Sequence, residues 1–388
     1  MNSVSAKQVI ALYLRYFLSP SETFVYRQLE GVSSVFDPIV LTSVVCNPDL
    51  YPVDRLYAMP KGLAGRVYTR LKSTVTGRFG AITPAQRSCW SSKLREHRAR
   101  LVHAHFGHFG MDVLGITRSL DIPLVVTFHG MDASHLLNDS RYTRELAELF
   151  EYAHVITISR DMARRLSRYG ARESRLDVHY IGVPVDTFDF VRRVPVADKI
   201  AREETVRCLQ VSNFVEKKGH RYTVDAFARH LATHPKHRLV LAGDGPLRAS
   251  VEARCREKGI EQSVDFTGRV VKSEVSDLMR DADVFLHHSV TAANGDMEGI
   301  PTVIMEAMST GLVVISTVHS GIPELVDDGV DGYLVGERDL DAYVGALDRL
   351  GGSDPDLPKK ARAKIETKFN MSVQNKKLVE IYQKVIDG

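Results

Sequence analysis

Cysteine is scarce in this chain. Four occur in 388 residues, Cys46, Cys89, Cys208 and Cys255, and no two form a Cys-x-x-Cys pair. That spacing excludes a disulfide framework and a thiolate zinc site and fits reduced thiols in a cytoplasmic protein. Long apolar runs are also missing: none approaches the ~20 residues that span a bilayer. The run 9–14 is interrupted by Arg15 and followed by no small-residue cleavage site, so it reads as a first strand rather than a signal peptide. A large net charge is also absent: 51 Lys and Arg against 48 Asp and Glu leave a formal balance of +3, which says nothing about partners. In the basic stretch 61–100 aromatic residues are too few to form a base-stacking platform, which argues against nucleic acid. Residues 15–22, after that strand, contain no G-x-G-x-x-G, which disfavours a nicotinamide dehydrogenase. No Asp-x-Asp pair stands at an expected strand end to hold a divalent ion. Neither a metal nor another cofactor is therefore expected.

What is present is an alternation of short apolar runs and amphipathic helical stretches. Strands are expected at 9–16, 38–44, 101–104, 124–128, 155–158 and 178–181. A second set is expected at 207–211, 238–242, 264–267, 284–287, 313–316 and 333–335. Such alternation indicates βα units and parallel sheets. Two sets of six predict an α/β chain of two doubly wound, Rossmann-like domains, each binding ligand at the carboxyl ends of its strands. The boundary falls at 183–204, where charges are many and periodicity is weak. The domains are expected at 1–185 and 200–370.

One stretch, 295–308, organises the second half. Glu298 and Glu306 are separated by Gly299-Ile300-Pro301-Thr302. Proline suits the first position of a helix, so Glu298 should lie on a loop and Glu306 on the helix that follows. The free N–H groups at such a helix start form an anion site. Glu306 would lie roughly 7–8 Å further along at the usual helical rise. Carboxylates accept hydrogen bonds from hydroxyls. Hydroxyl-binding groups on both sides of an anion site suit a nucleotide-diphosphate sugar.

Other motifs fall after strands of the same expected sheet. Ser212-Asn213-Phe214-Val215-Glu216-Lys217-Lys218-Gly219 could carry a lysine to a phosphate as a point charge, although paired lysines are often only solvated. Gly243-Asp244-Gly245 reads chiefly as a turn with Asp244 capping the next helix. Gly268-Arg269-Val270 could present backbone groups to a base. His287-His288 closes a fourth strand. On parallel topology all of these gather on one sheet edge, and that convergence is the signal. In the first half, His103 and His105 share a strand face; with no third ligand at metal spacing, packing or ligand contact is expected rather than zinc. His129, followed by Gly130, Met131 and Asp132, ends the next strand and is well placed for a ligand. Ser19-Pro20-Ser21-Glu22 reads as a capping box; the functional alternative has Ser21 and Thr23 facing a ligand. Residues 61–100 hold ten Lys and Arg against Glu96 alone, a balance of +9. Val67, Leu71 and Val75 recur there at helical spacing, as do Trp90 and Leu94. A basic amphipathic surface suits anionic lipid headgroups, and a solvated helical face is the plainer reading.

The order Glu-Lys-Lys-Gly (216–219), Ala-Gly-Asp-Gly-Pro (242–246), Glu298-Gly-Ile-Pro-Thr-Val-Ile-Met-Glu306 and Ser320-Gly-Ile-Pro-Glu324 resembles glycosyltransferase family 4. His105-Phe-Gly107 and Phe128-His-Gly-Met-Asp132 are similar to its branch that builds exopolysaccharides and colanic-acid-like repeats. The resemblance implies a retaining enzyme of the GT-B fold, its two domains facing across a cleft. It implies that a terminal helix, about 371–388, joins the first domain. It implies Glu298 at the donor sugar, Glu306 at the ribose, Lys218 on the diphosphate and the backbone of Gly299, Ile300, Pro301 and Thr302 at sugar or phosphate. Ser212, Asn213, Gly243, Gly245, Arg269 and Val270 would complete the donor site. His129 would approach the donor sugar, so that domain closure is required for turnover. His105, Gly107, Asp132, Ser21 and Thr23 would lie on the acceptor side. Two positions depart from the family pattern. Ser212-Asn213 replaces a usual Gly-Arg, which leaves Lys218 and the helix start to meet the leaving group. The stretch 19–23 replaces a glycine-rich loop.

The expected partners are a nucleotide-diphosphate sugar, a saccharide or polyprenyl-linked saccharide acceptor, and an anionic membrane surface at 61–100. The expected place is cytoplasmic, peripheral on the inner face of the membrane. Two other readings stay open on sequence: a nucleotide-sugar epimerase of the same architecture, and a non-catalytic nucleotide-sugar-binding assembly protein.

Overall fold

Short runs of Val, Ile and Leu bounded by glycine, proline or charge form strands that are buried on both faces, the pattern of parallel sheets covered by helices. The computed structural model describes residues 7–18, 23–76, 79 and 82–388, and of 71–76 the backbone alone. The chain divides into two compact units, Met1–Ile181 with Ser372–Gly388, and Gly182–Met371.

The N-terminal unit holds β1 (Val9–Phe17), β2 (Asp37–Val45), β3 (Leu56–Ala58), β4 (Leu101–His105), β5 (Leu124–Phe128), β6 (His154–Thr157) and β7 (Leu176–Val178). They form one sheet in the order β3-β2-β1-β4-β5-β6-β7, and every pairing is parallel. The chain reverses direction of winding between β1 and β4, whose register pairs Ile10 with Leu101. Six strands were expected and seven occur: β3 is a three-residue edge strand. β7 ends where the expected strand begins, because residues 179–181, though buried, continue as irregular chain. The helix Met371–Asp387 packs on this unit through buried Leu378 and Tyr382.

The C-terminal unit holds β8 (Arg207–Val211), β9 (Arg238–Ala242), β10 (Val264–Gly268), β11 (Val284–His287), β12 (Val313–Thr317) and β13 (Tyr333–Val335). Their order is β10-β9-β8-β11-β12-β13, again all parallel. The switch of winding lies between β8 and β11, where Val284 pairs with Cys208. Ligands of doubly wound sheets bind outside the carboxyl ends at such a point. The 183–204 stretch is not featureless. It carries a short helix, Val196–Ala201, and Arg193 donates to the carbonyls of Ala282, Met279 and Thr310 at 2.5–2.6 Å. Among the described residues no helix is long and apolar enough to cross a membrane.

Candidate active site

The loops after β8 and β11 meet at the switch point of the C-terminal sheet. After β8 the chain makes a single turn of 3-10 helix, Glu216–Lys218, and leaves it through Gly219 at φ +62°. A Cβ on Gly219 would stand 1.7 Å from the His288 carbonyl oxygen, so only glycine fits. The Val290 N–H donates to the Lys217 carbonyl at 3.0 Å. The lysine turn is thus stitched to the chain that follows β11.

That stitching brings both lysines to Glu298. Lys218 Nζ is 3.0 Å from Glu298 Oε2, and Lys217 Nζ is 3.8 Å from Oε1 and 2.9 Å from Asp296 Oδ2. The Glu298 carboxylate is buried and its Oε1 has no hydrogen-bond partner. Burial pushes its pKa up, but Lys218 and Lys217 outweigh burial and hold it at about 2. Burial likewise opposes the charge on Lys217, and Glu298 with Asp296 restores it, raising its pKa. The loop itself is fixed from behind. The Glu298 N–H donates to His319 Nε2 at 3.0 Å, which leaves the proton on Nδ1 to donate to Glu337 at 2.6 Å. Glu337 also accepts from the Thr291 N–H at 2.8 Å.

The helix Thr302–Ser309 starts directly after this loop. Pro301 is its N-cap, at φ −64°, one position earlier than the sequence suggested. As at any helix start, its first N–H groups have no partner within the helix, the feature on which the expectation for Gly299–Thr302 rests. Glu306 is half-buried in the second turn.

The remaining donor-side candidates are held mainly by backbone packing. A Cβ on Gly243 would stand 2.1 Å from the Ser212 carbonyl, and one on Gly245 would stand 2.7 Å from that of Phe214. Ser212 Oγ lies 3.1 Å from His220 Nε2, and the His220 ring stacks on Phe214 at 4.0 Å. Asn213 and Arg269 are exposed, and Val270 is half-buried. Asp244 does not cap the next helix. That helix, Arg248–Glu257, has Leu247 at its N-cap, because Gly245-Pro246 carries the chain on before it can turn, and Asp244 accepts from the Gly245 N–H instead.

The carboxyl edge of the N-terminal sheet carries a second cluster. His105 Nδ1 and His129 Nε2 are 3.1 Å apart and their rings stack at 5.3 Å. His105 Nε2 and His129 Nδ1 are buried without a partner. Burial depresses both rings, His105 to about 3, and each disfavours charge on its neighbours, so both are neutral near pH 7. His103 is packed, as expected, between Tyr382 at 2.5 Å and Thr127 at 2.7 Å. Asp132 is fully buried and accepts from the N–H groups of Gly107, His129 and Gly130 at 2.8–3.0 Å. It braces the loop that carries His129 rather than presenting a free carboxylate. Gly107 opens the helix Gly107–Leu120, where a Cβ would collide with Phe128 and the Tyr142 hydroxyl at 2.3–2.4 Å. Thr23 is half-buried at the start of the helix Thr23–Val32, and Ser21 with the 19–22 capping box lies outside the described residues.

His319, Glu337, Asp296 and His220 were not singled out in the sequence. His319 and Glu337 each end just past a strand, β12 and β13, and that position was the available signal. A cavity of about 1160 Å³ opens in the N-terminal unit at the amino edge of the sheet, beside Leu101, Leu124 and His154, away from the histidine cluster of that unit.

Two family models match. Residues 43–187 match "Glycosyltransferase Family 4" and residues 196–368 match "Glycosyl transferases group 1". WcaL of Escherichia coli (strain K12), a glycosyltransferase whose name assigns it to colanic acid biosynthesis, is 34% identical over 296 residues, 74% of this chain and 71% of WcaL. The amylovoran biosynthesis glycosyltransferase AmsK of Erwinia amylovora is 31% identical over 328 residues, 81% of this chain and 78% of AmsK. Among solved structures, Anabaena HepE in complex with UDP superposes with a TM-score of 0.77 at 17% identity, covering 97% of this chain and all of HepE. Sucrose-phosphate synthase of Thermosynechococcus elongatus gives 0.75 at 19% identity, covering 98% and 100%. These likenesses show a GT-B fold, and the sequence relatives show the activity class: the chain belongs to glycosyltransferase family 4 and is a glycosyltransferase.

Proposed function

We propose that the chain transfers a sugar from a nucleotide-diphosphate donor to a saccharide acceptor, with retention of anomeric configuration and without a divalent cation in the reaction, during assembly of a cell-surface polysaccharide. The observation that carries this reading is the buried Glu298 carboxylate, ion-paired with Lys218 and Lys217, at the mouth of a helix whose second turn holds Glu306. The names of WcaL and AmsK, and the UDP bound to HepE, support the donor and the setting.

In this reading the donor diphosphate meets the N–H groups at the start of the helix Thr302–Ser309 and draws Lys218 from Glu298. Glu298 then accepts hydrogen bonds from the donor sugar hydroxyls, and Glu306 accepts from the ribose hydroxyls. The bond from the anomeric carbon to the diphosphate breaks, and the acceptor oxygen bonds to that carbon on the same face. The acceptor's proton passes to the departing phosphate oxygen. Negative charge grows on the diphosphate as the bond breaks. Preorganised cations and amides around it supply the largest share of the rate. Lys218, Lys217 and the helix start provide that charge here, which is why no cation is assigned to the step. His129 and His105 offer neutral ring nitrogens to hydroxyls, and Asp132 with Gly107 holds them in place.

The acceptor is assigned as lipid-linked on the strength of the basic helices. The helix Leu63–Thr76 exposes Leu63 and Val67 beside Arg66 and Arg70, a pairing of apolar and basic groups that suits an anionic interface.

A thermal-shift panel of UDP-, GDP- and ADP-sugars tests the donor, since a ligand that binds only the folded chain raises its unfolding temperature. One nucleotide class should shift the transition, and that donor should release nucleotide only with acceptor and at full rate in excess chelator. Turnover abolished by chelator and restored by manganese would overturn the cation-free step, and conversion of donor alone to an epimer would overturn transfer.

A further inference from the structure

The C-terminal unit carries a second group of chemically capable residues that glycosyl transfer does not use. The helix His220–Leu231 begins beside the lysine turn, and its far end holds His230, followed by His234 and His237. Asp348, the last residue of the helix Leu340–Asp348, meets them there. The His230 and His234 rings stack at 4.3 Å, and His237 lies 5.1 Å from His230 and 4.9 Å from His234. One ligand atom from each of His230, His234 and Asp348 lies within 4.8 Å of the others. His234 and His237 also line a cavity of about 370 Å³ that opens to solvent beside Glu203 and Glu204.

His230 is buried, and each of its nitrogens has a polar neighbour. Nδ1 is 3.2 Å from Asp348 Oδ1, and Nε2 is 3.1 Å from His237 Nδ1. A neutral imidazole has one proton to give. Without an ion, Nδ1–H donates to Asp348 and Nε2 accepts from His237; with the proton on Nε2 instead, the Nδ1 lone pair and the Asp348 oxygen face each other across a gap that a cation fits. A histidine that ligates a metal through one nitrogen and donates from the other is the usual second-sphere pattern. We propose that His230 Nδ1, His234 and Asp348 Oδ1 bind a transition-metal ion of the zinc class, with His237 as a positioning residue that fixes the His230 tautomer. Two imidazoles and a carboxylate are a normal zinc donor set and leave a fourth position for water. Closing 4.8 Å to the ~3.3–3.5 Å between tetrahedral ligands at zinc bond lengths needs only side-chain adjustment. The position is electrostatically suitable as well: two helices present their C-terminal ends to it, and helix C-termini favour positive charge.

Such an ion would staple the helix that starts at the lysine turn to the helix that starts after Glu337. It is a structural site, separate from transfer, and it stands whether or not the donor reading does.

The test uses the full chain without a histidine tag. Titration with Zn²⁺ should show one site of micromolar affinity or tighter. Saturation should raise the unfolding temperature by about 5 °C, and Co²⁺ should give the visible absorption of a tetrahedral site. His234→Gln and Asp348→Asn change accessible side chains and should keep the native circular dichroism. Each should weaken Zn²⁺ binding at least tenfold and remove the thermal shift, with turnover unchanged within twofold. Absence of Zn²⁺ binding below about 100 µM, or binding undiminished in both variants, would overturn the proposal.

Discussion

The two strand-end clusters are built from different chemistry. In the N-terminal unit, His105 and His129 are stacked, neutral and joined to each other, and the nearby carboxylate, Asp132, is consumed by three backbone N–H groups. In the C-terminal unit, Glu298 stays ionised, its pKa held at about 2 because two lysines lie against it, and a third pair, His319 and Glu337, holds its loop. Both clusters are buried, so burial alone does not decide charge. What decides it is whether a countercharge is supplied within a few ångströms. A leaving diphosphate needs charge at fixed positions, and a sugar hydroxyl needs only hydrogen-bond partners. On the proposed function, the difference between the clusters suits the C-terminal unit to the diphosphate.

The comparison breaks most visibly at Lys218. Lys218→Ala should lower kcat about 10²–10³-fold, the usual cost of removing one preorganised donor from a developing anion. Rates of nucleotide release at saturating donor measure it. A loss below tenfold would mean that charge in this cluster is not what drives the step. Glu306→Ala should act on binding, weakening donor affinity roughly 10–100-fold through loss of charge-assisted hydrogen bonds, with kcat changed little. Calorimetric titration of the cognate nucleotide separates the two effects. His129→Ala, on the neutral side, should cost only about 3–10-fold in kcat/KM, the worth of neutral hydrogen bonds. If it costs as much as Lys218→Ala, the neutral cluster takes part in the chemistry and the contrast fails.

The smallest expected effect is on stability. His105 and His220 are held at about 3, and His108, His179, His237 and His288 at about 4, all by burial first. Unfolded histidines titrate near 6.5. Between pH 6.5 and about 4 the unfolded chain therefore binds more protons than the folded one, and stability falls as pH is lowered. Glu298 has the opposite starting point: its contribution is complete above an unfolded value of about 4.3 and is lost only as pH falls toward 2. The unfolding temperature should thus decline from pH 6.5 downward, well before Glu298 titrates. A flat profile down to pH 4.5 would show that the histidines are not held neutral.

Much of this was legible in the sequence. The six strands of the C-terminal sheet are short apolar runs, because strands covered on both faces must be. Glu298 and Lys218 were identifiable by position after strands of one sheet. What escaped had physical reasons. β3 is three residues long at an edge, too short for a periodic signal. The 179–181 run is apolar because it is buried, not because it is a strand. Asp244 was misread as a cap because a carboxylate before a helix resembles one until Gly245-Pro246 is seen to extend the chain. His319 and Glu337 are 18 residues apart and meet only once β12 and β13 are paired. The direct ion pair between Glu298 and Lys218 was also invisible, since the sequence placed each on its own loop and only Gly219 packed on His288 brings them together.

The most direct test of the central claim is the turnover of Glu298→Gln, which removes the charge and keeps the shape. Nucleotide release with acceptor, donor affinity and unfolding temperature would be measured on the same preparations. In this variant kcat should fall at least 100-fold, with a donor Kd within tenfold of the parent and a native unfolding transition. Turnover within a few-fold of the parent, in a folded variant that still binds donor, would contradict it.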